Sequence, residues 1–240
     1  MSVMKDEDLR VDAFLDLYKQ LEQLLKINYA NDSGRYESVV ARFENSRDCG
    51  NYRDEVIAIR EIRNLLQHNP KINGSYIAVP SEHTLNALRE IIQMVAHPKL
   101  AIDFGVNARQ IFKTTLSSSL MKVIRVMKDR GFSHVPVVEN DKLYGVLSAY
   151  TVFEFATEQG AQILTEDTRV SDMKPYLPIE KHKNEWYLFL PRDATFTEAD
   201  EAFIKRDPRG RRLVAIFITE HGKANEPLLS MLTPWSVVGK

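Results

Sequence analysis

Two short segments in the second half of the chain place hydroxyl side chains where a phosphate group could bind. Residues 144–151 (Tyr-Gly-Val-Leu-Ser-Ala-Tyr-Thr) are echoed by residues 229–236 (Leu-Ser-Met-Leu-Thr-Pro-Trp-Ser), and in each segment an apolar run ends in a hydroxyl residue, with another hydroxyl three positions later. A hydroxyl at the start of a helix can donate to phosphate, and it can equally act as a plain N-cap. The four residues concerned are Ser148, Thr151, Thr233 and Ser236.

A second candidate set lies in the N-terminal half, on a predicted helix that carries Arg63, Asn64 and His68. Asn64 and His68 are one helical turn apart and share a polar face. A histidine titrates near neutral pH and can move a proton, while a guanidinium offers planar donors to developing negative charge. The same pattern also fits a solvated helix end whose basic last turn suits the helix dipole.

A cationic loop precedes one of the predicted strands. Residues 205–212 contain five Lys or Arg side chains and one glycine. Arginine beside a turn favours bidentate contacts with phosphate, which makes Arg212 a candidate phosphate ligand. A solvated surface and an RNA contact are the alternatives for this loop.

Other catalytic signatures do not occur. The sequence contains no Gly-x-Ser-x-Gly elbow, no Gly-x-x-x-x-Gly-Lys loop and no Gly-x-Gly-x-x-Gly fingerprint, so ordinary hydrolase, kinase and dehydrogenase functions lose their support. The six histidines and one cysteine show no metal-ligand spacing, and no metal site is predicted.

Composition is that of a globular protein without a strong global charge. The 240 residues are 44% hydrophobic and 27% charged, with a formal net charge of -1. The single cysteine, Cys49, excludes an intrachain disulfide. Because the first residues are polar and no apolar run is long enough to span a bilayer, we expect a cytoplasmic protein with no membrane segment.

The elements that position these residues fall into two groups. Apolar residues at helical spacing predict helices over residues 9–30, from about Tyr52 to Asn69-Pro70, and over 81–97, with a weaker helix near 38–44. Ser81 is a plausible N-cap, and Pro98 ends the last helix. These short-linked helices predict an all-α four-helix bundle over residues 1–98.

Beyond residue 98 the pattern changes to alternating strands and helices. The first copy has a helix over 120–131, strands over 135–138 and 143–147, and a helix from 151. The second has a strand over 187–190, a helix over 196–203 and strands over 213–218 and 228–232. The echo therefore predicts two β-α-β-β-α units, residues 99–163 and 164–240, within a mixed α+β chain, with 170–185 as a linker or flap.

The second half resembles a tandem pair of CBS domains. The resemblance rests on residues 132–138 (Phe-Ser-His-Val-Pro-Val-Val) followed by 145–148 (Gly-Val-Leu-Ser). In the second copy, Val214 stands for the proline and Ser230 for the glycine. The resemblance implies two clefts that bind adenine nucleotides such as AMP or ATP, and in some members S-adenosylmethionine or cyclic dinucleotides, with no cofactor required. The residues expected to line the clefts are Thr114, His134, Val135, Pro136, Ser148, Thr151, Arg212, Val214, Thr233 and Ser236.

Two features qualify this expectation. Members of the family that hold ribose place an aspartate three positions after the hydroxyl, where this chain has Thr151 and Ser236. A ligand held mainly through its phosphates is therefore favoured over ordinary AMP binding. His134 lies within a strand, and packing or a backbone hydrogen bond is the alternative to a ligand contact.

Residues 8–97 resemble the HEPN family, in which Arg-Asn-x-x-x-His lies near the end of the third helix of a bundle. The resemblance implies a homodimer that cleaves RNA without metal, with Arg63 stabilising phosphorane charge, His68 acting as general acid or base and Asn64 orienting the pair. Other members of that family are inactive partners or scaffolds. We therefore expect a homodimeric protein whose CBS pair senses a nucleotide and acts on the helical domain, with a ligand-gated ribonuclease as the alternative and RNA as its substrate.

Overall fold

The computed structural model describes residues 2–28, 38–68, 71–72 and 75–237. The chain divides into two compact units, Met1–Pro98 and Lys99–Lys240. The expected end of the first helix at Ala30 and the expected helix stop at Asn69-Pro70 lie outside the described residues. Helices form the N-terminal unit and mixed strands and helices form the C-terminal one, which confirms the predicted mixed fold.

The N-terminal unit is built from amphipathic helices. They are α1 (Ser2–Asn28), α2 (Val39–Glu44), α3 (Arg53–His68) and α4 (Glu82–Ala96). The Ser81 hydroxyl accepts from the Thr84 backbone N–H at 3.1 Å, as its predicted capping role requires. Two short strands between α3 and α4, β1 (Lys71–Ile72) and β2 (Ser75–Tyr76), form a small hairpin that the sequence pattern does not reveal.

The core of this unit comes from one face of each helix. Along α1 the buried residues recur every three or four positions, which turns a single stripe inward. The side chains that are essentially inaccessible to solvent are Phe14, Leu21, Leu25, Val40, Phe43, Val56, Ile59, Leu85, Leu88 and Ile91.

The first copy of the repeat follows in the C-terminal unit. Its elements are α5 (Leu120–Arg130), β4 (His134–Glu139), β5 (Lys142–Ser148) and α6 (Ala149–Gln159). β4 and β5 form an antiparallel hairpin whose turn places Asn140 and Asp141 at φ of 51° and 60°. Thr114 adds a single parallel bridge to Val137 at the other edge of β4.

The second copy repeats this order with a longer first strand. Its elements are β6 (Glu185–Leu190), α7 (Phe196–Ile204), β7 (Arg212–Ile218), β8 (Ser230–Leu232) and α8 (Pro234–Val237). β6 pairs parallel to β7, and β7 pairs antiparallel to β8. Each copy thus has a parallel strand contact, a helix, an antiparallel hairpin and a final helix.

The two copies exchange segments. The strand β3 (Val106–Asn107) precedes α5 of the first copy but pairs with β8 of the second. Conversely, Val170, Met173 and Leu177 precede β6 of the second copy but are buried in the core of the first. The helices and strands of each copy are therefore completed by the leading segment of the other copy.

The sheets of the two copies meet through an apolar layer. This inter-sheet layer is separate from the two cores that lie beneath the helices of the C-terminal unit. It consists of Val146, Tyr187, Ala215, Phe217 and Leu228. Tyr187 and Phe217 stack with ring centroids 6.0 Å apart. The candidate site residues lie at the ends of the strands that build this layer.

Candidate functional site

The strand end of the first copy is a complete helix cap. The Ser148 hydroxyl accepts from the Thr151 backbone N–H at 3.1 Å, and the Thr151 hydroxyl accepts from the Ser148 N–H at 2.9 Å. This reciprocal capping box starts α6, and the two residues are 0% and 1% exposed. The capping role considered for these residues is therefore present in the first copy.

The neighbouring strand β4 presents alternate residues to the two sides of the sheet. His134 pairs with Ser148 and Pro136 with Val146, on the side of the inter-sheet layer. Val135 points the other way and is fully buried in the core beneath the helices. The Val135 side chain therefore faces away from the inter-sheet side, on which the candidate cleft residues His134 and Ser148 lie. Thr114 is buried and donates its backbone N–H to the Pro136 carbonyl at 3.0 Å.

A carboxylate from the second copy enters this strand end. Glu185, the first residue of β6, accepts from His134 Nε2 at 3.1 Å, faces His182 Nδ1 at 3.0 Å and accepts from the Tyr187 hydroxyl at 3.2 Å. Ser148, at the position of β5 paired with His134, also helps to lower the pKa of Glu185. Burial by itself raises the pKa of Glu185, but the hydrogen bonds from His134 and His182 outweigh burial and hold that pKa well below its usual value.

His182 is the fully buried partner in this Glu185 network. Its Nε2 lies 3.3 Å from the Leu177 carbonyl oxygen, which can only accept, and its Nδ1 faces the Glu185 carboxylate. Burial, reinforced by the charge of Glu185, raises the pKa of Tyr187 far above its usual value, so this residue stays a neutral donor.

The strand end of the second copy is arranged differently. The Ser236 hydroxyl accepts from the Thr233 backbone N–H at 3.1 Å, but the Thr233 hydroxyl makes no hydrogen bond within the part of the chain that the structure describes. Thr233 and Ser236 are only partly buried, and Trp235 between them is 85% exposed. This strand end is therefore more open than its counterpart in the first copy.

Strand register corrects the alignment of the two copies. In the second hairpin Phe217 pairs with Met231, as Pro136 pairs with Val146 in the first. Phe217, and not Val214, is thus the structural counterpart of the proline. Val214 lies three residues earlier and packs partly against the inter-sheet layer.

The same register, continued by one residue from the pair Ile216–Leu232, places Ala215 opposite Thr233. Ala215 is therefore the counterpart of His134, and the second copy has no polar side chain at that position of the strand.

The cationic loop has an internal scaffold. Asp207 is buried, and its carboxylate accepts from the backbone N–H groups of Arg209 at 3.1 Å and Arg211 at 2.7 Å and from Arg211 Nε at 2.6 Å. Arg211 also donates to the His182 carbonyl oxygen at 3.2 Å, which ties the loop to the Glu185 network. Arg206 forms an isolated antiparallel bridge with Arg212.

The scaffold leaves guanidinium groups facing solvent. Arg206, Arg209 and Arg212 are exposed, and none forms an ion pair within the residues that the structure describes. Arg212 lies in register with Glu185, whose carboxylate is bound by the histidines and not by this arginine. Arg206 and Arg212 occupy facing positions of the bridge, where their like charges repel one another. Binding of an anion to this surface would relieve that repulsion.

In the N-terminal unit, Arg63 is held by its own neighbours. Its guanidinium lies 3.8 Å from the Glu22 carboxylate, 5.4 Å from the centroid of the Tyr18 ring and 3.5 Å from Asn64 Oδ1. Burial, with the Glu22 charge acting in the same direction, raises the pKa of Tyr18 to about 12. His68 is exposed at the end of α3. The structure thus brings Arg63 and Asn64 together, and no side-chain hydrogen bond or ion pair joins either of them to His68.

Neither a metal site nor a membrane span is found among the described residues. No group of three or more His, Cys, Asp or Glu side chains there is placed to hold a metal ion. No helix in the same ranges combines the length and apolarity that a membrane span needs.

The two copies have the same order of elements and pack against each other through the inter-sheet layer. The C-terminal unit is therefore a tandem βαββα pair. Residues 105–158 match the CBS domain family, so the chain contains a CBS domain, formed by the first copy.

Solved structures with similarity to this chain include other CBS proteins. CBSX2 from Arabidopsis thaliana is 18% identical, with 59% of this chain and 93% of that chain covered and a TM-score of 0.43. CBSX2 in complex with AMP gives 18% identity, 58% and 93% coverage and a TM-score of 0.41. A hemolysin-like protein containing a CBS domain from Oenococcus oeni PSU is 13% identical, with 62% of this chain and 93% of that chain covered and a TM-score of 0.40. No curated protein matches the chain.

Proposed function

We propose that the C-terminal unit is a regulatory module that binds a phosphate-bearing adenine nucleotide, with the second βαββα copy acting as a second CBS domain. The observation that carries this proposal is the match of residues 105–158 to the CBS domain family. A module of this kind performs no chemistry, and its output is a change in stability or assembly when the ligand binds.

Charge in the module favours recognition through phosphates. Neither Thr151 nor Ser236 supplies a carboxylate for ribose hydroxyls. Arg206, Arg209 and Arg212 present guanidinium groups to solvent on a loop that Asp207 preorganises. Guanidinium groups bind phosphate oxygens in pairs, and a preorganised loop loses little entropy on binding.

Ligand-induced stabilisation tests this function directly. Thermal unfolding is followed with AMP, ADP, ATP and cyclic di-AMP at constant ionic strength. A nucleotide present at about 100 times its Kd should stabilise the folded protein by about 2.7 kcal/mol. The Arg212→Gln substitution should lower the affinity for that nucleotide about tenfold or more. Arg192→Gln is the matched control, since Arg192 is exposed and paired with Glu220 at 2.9 Å. A protein whose unfolding ignores all four nucleotides would contradict the proposal.

Coupling to the helical unit is the second part of the proposed function. The two units join directly between Pro98 and Lys99, so little chain is available to isolate one from the other. We take the helical unit to be the effector or dimerisation domain of a homodimer. Sedimentation velocity with and without the stabilising nucleotide tests this part, and a monomer in both conditions would contradict it.

A further inference from the structure

We infer that the strand end of the first copy is filled by the protein's own carboxylate, Glu185, so that each chain binds one anionic ligand, at the second copy only. This inference rests on the proposed nucleotide-binding function and specifies its site and its stoichiometry.

The contacts of Glu185 are those that an incoming phosphate would need. A phosphate at the first strand end would accept from Ser148 and from His134, the side chains that point there from paired positions of β5 and β4. His134 already donates to Glu185, and His182 and Tyr187 complete the shell of this carboxylate. The carboxylate thus takes the place of the ligand's anionic group.

Burial and charge both keep a second anion away. The side chains of His134 and Glu185 are each 14% exposed, and that of His182 is 0% exposed. An anion that entered would lie beside the Glu185 charge and would have to displace buried hydrogen bonds, each of which is costly to leave unmade. The first strand end is therefore closed by both sterics and electrostatics.

Among the described residues, the strand end of the second copy has none of these closing groups. Ala215 stands at the position of His134, and the Thr233 hydroxyl is without an internal partner in the described part of the chain.

Calorimetric titration of the full chain with ATP measures the stoichiometry. One ATP should bind per chain. Thr233→Ala should raise the Kd for ATP about tenfold. Ser148→Ala is the matched substitution in the first copy and should change that Kd less than about twofold. Two ATP per chain, or a loss caused by Ser148→Ala alone, would overturn the inference.

Inorganic phosphate provides a test that does not depend on nucleotide binding. Glu185→Ala frees the donors of the first copy, so about 20 mM phosphate should raise the Tm of this variant by about 2 °C more than that of the wild type, at matched ionic strength. An equal shift in the two proteins would overturn the inference. If the wild type binds no ATP while the variant gains the phosphate shift, the proposed nucleotide binding fails, whereas the closure of the first strand end by Glu185 stands.

Histidine NMR covers the case in which Glu185→Ala does not fold. The ring nitrogen signals of His134 and His182 in the wild-type protein should stay unchanged when ATP or phosphate is added. A shift of either signal would show a ligand at the first strand end and would overturn the inference.

Discussion

A single methyl group at Gly145 should destabilise the C-terminal unit, because the segment between the copies lies directly on this glycine. A Cβ at position 145 would lie 2.5 Å from the Leu177 carbonyl carbon and 3.1 Å from its Cβ, and closer still to its carbonyl oxygen. Ordinary carbon contacts are about 3.5–4.0 Å, so Leu177 must move by about 1 Å.

That movement affects several interactions at once. The Leu177 carbonyl accepts from the Val146 N–H at 2.9 Å and from His182 Nε2 at 3.3 Å. Each buried donor left without its acceptor costs about 1–3 kcal/mol, and the Leu177 side chain also leaves a fully buried position. We expect Gly145→Ala to lower the free energy of unfolding of this unit by about 2–4 kcal/mol.

Urea unfolding monitored by tryptophan fluorescence isolates the relevant unit, since both tryptophans, Trp186 and Trp235, lie in it. Gly131→Ala is the control. Gly131 has φ of 69° and open space around its Cβ position, so alanine there should cost only about 1 kcal/mol of backbone strain. A loss for Gly145→Ala no larger than that of the control would refute the reasoning that Leu177 is fixed against β5.

Three further outcomes are expected. Glu185→Gln should lower the free energy of unfolding by about 2–4 kcal/mol at pH 7. Because the pKa of Glu185 is lowered on folding, the stability that its carboxylate contributes is present above the usual pKa of 4.5 and is lost progressively in acid. A difference in stability between variant and wild type that is as large at pH 3 as at pH 7 would argue against this role of Glu185. Burial raises the pKa of the Cys49 thiol to about 11, so at pH 8 iodoacetamide should label the folded protein at least ~100-fold more slowly than the urea-unfolded protein, and equal rates would show an accessible thiol. Wild type and His68→Ala should both leave RNA intact in the presence of chelator, because Arg63 is engaged by Glu22; cleavage by the wild type alone would favour the ribonuclease.

Local signals in the sequence carry much of the fold. Ser81 and Gly131 are found as the helix cap and helix stop that their residue types predict. The echoed hydroxyl residues Ser148 and Thr233 both precede a helix. Their position could be predicted because a helix cap involves only residues within three or four positions of one another along the chain. Signals of this kind depend on nearest neighbours along the chain and survive without knowledge of the tertiary structure.

The content of the site depends on contacts that no local pattern encodes. Glu185 lies at the end of a segment predicted as a linker, and its partner His134 is 51 residues away in the sequence. An acidic residue beside a lysine-rich segment resembles solvated surface until the two sheets are packed together. The misplaced alignment of Val214 has a similar cause, because irregularities between Val137 and Val138 and between Trp186 and Tyr187 shift the strands without changing their hydrophobic pattern.

The exchange of segments between the copies has a consequence for the order in which the chain folds. The Ser230 hydroxyl donates to the Val106 carbonyl across 124 residues, so β3 cannot pair with β8 until Ser230 has left the ribosome. Closing such a distant contact is slow relative to forming a helix or a hairpin. The C-terminal unit should therefore reach its final form only after β8 has been synthesised, and a nascent chain stalled after α6 should remain sensitive to protease.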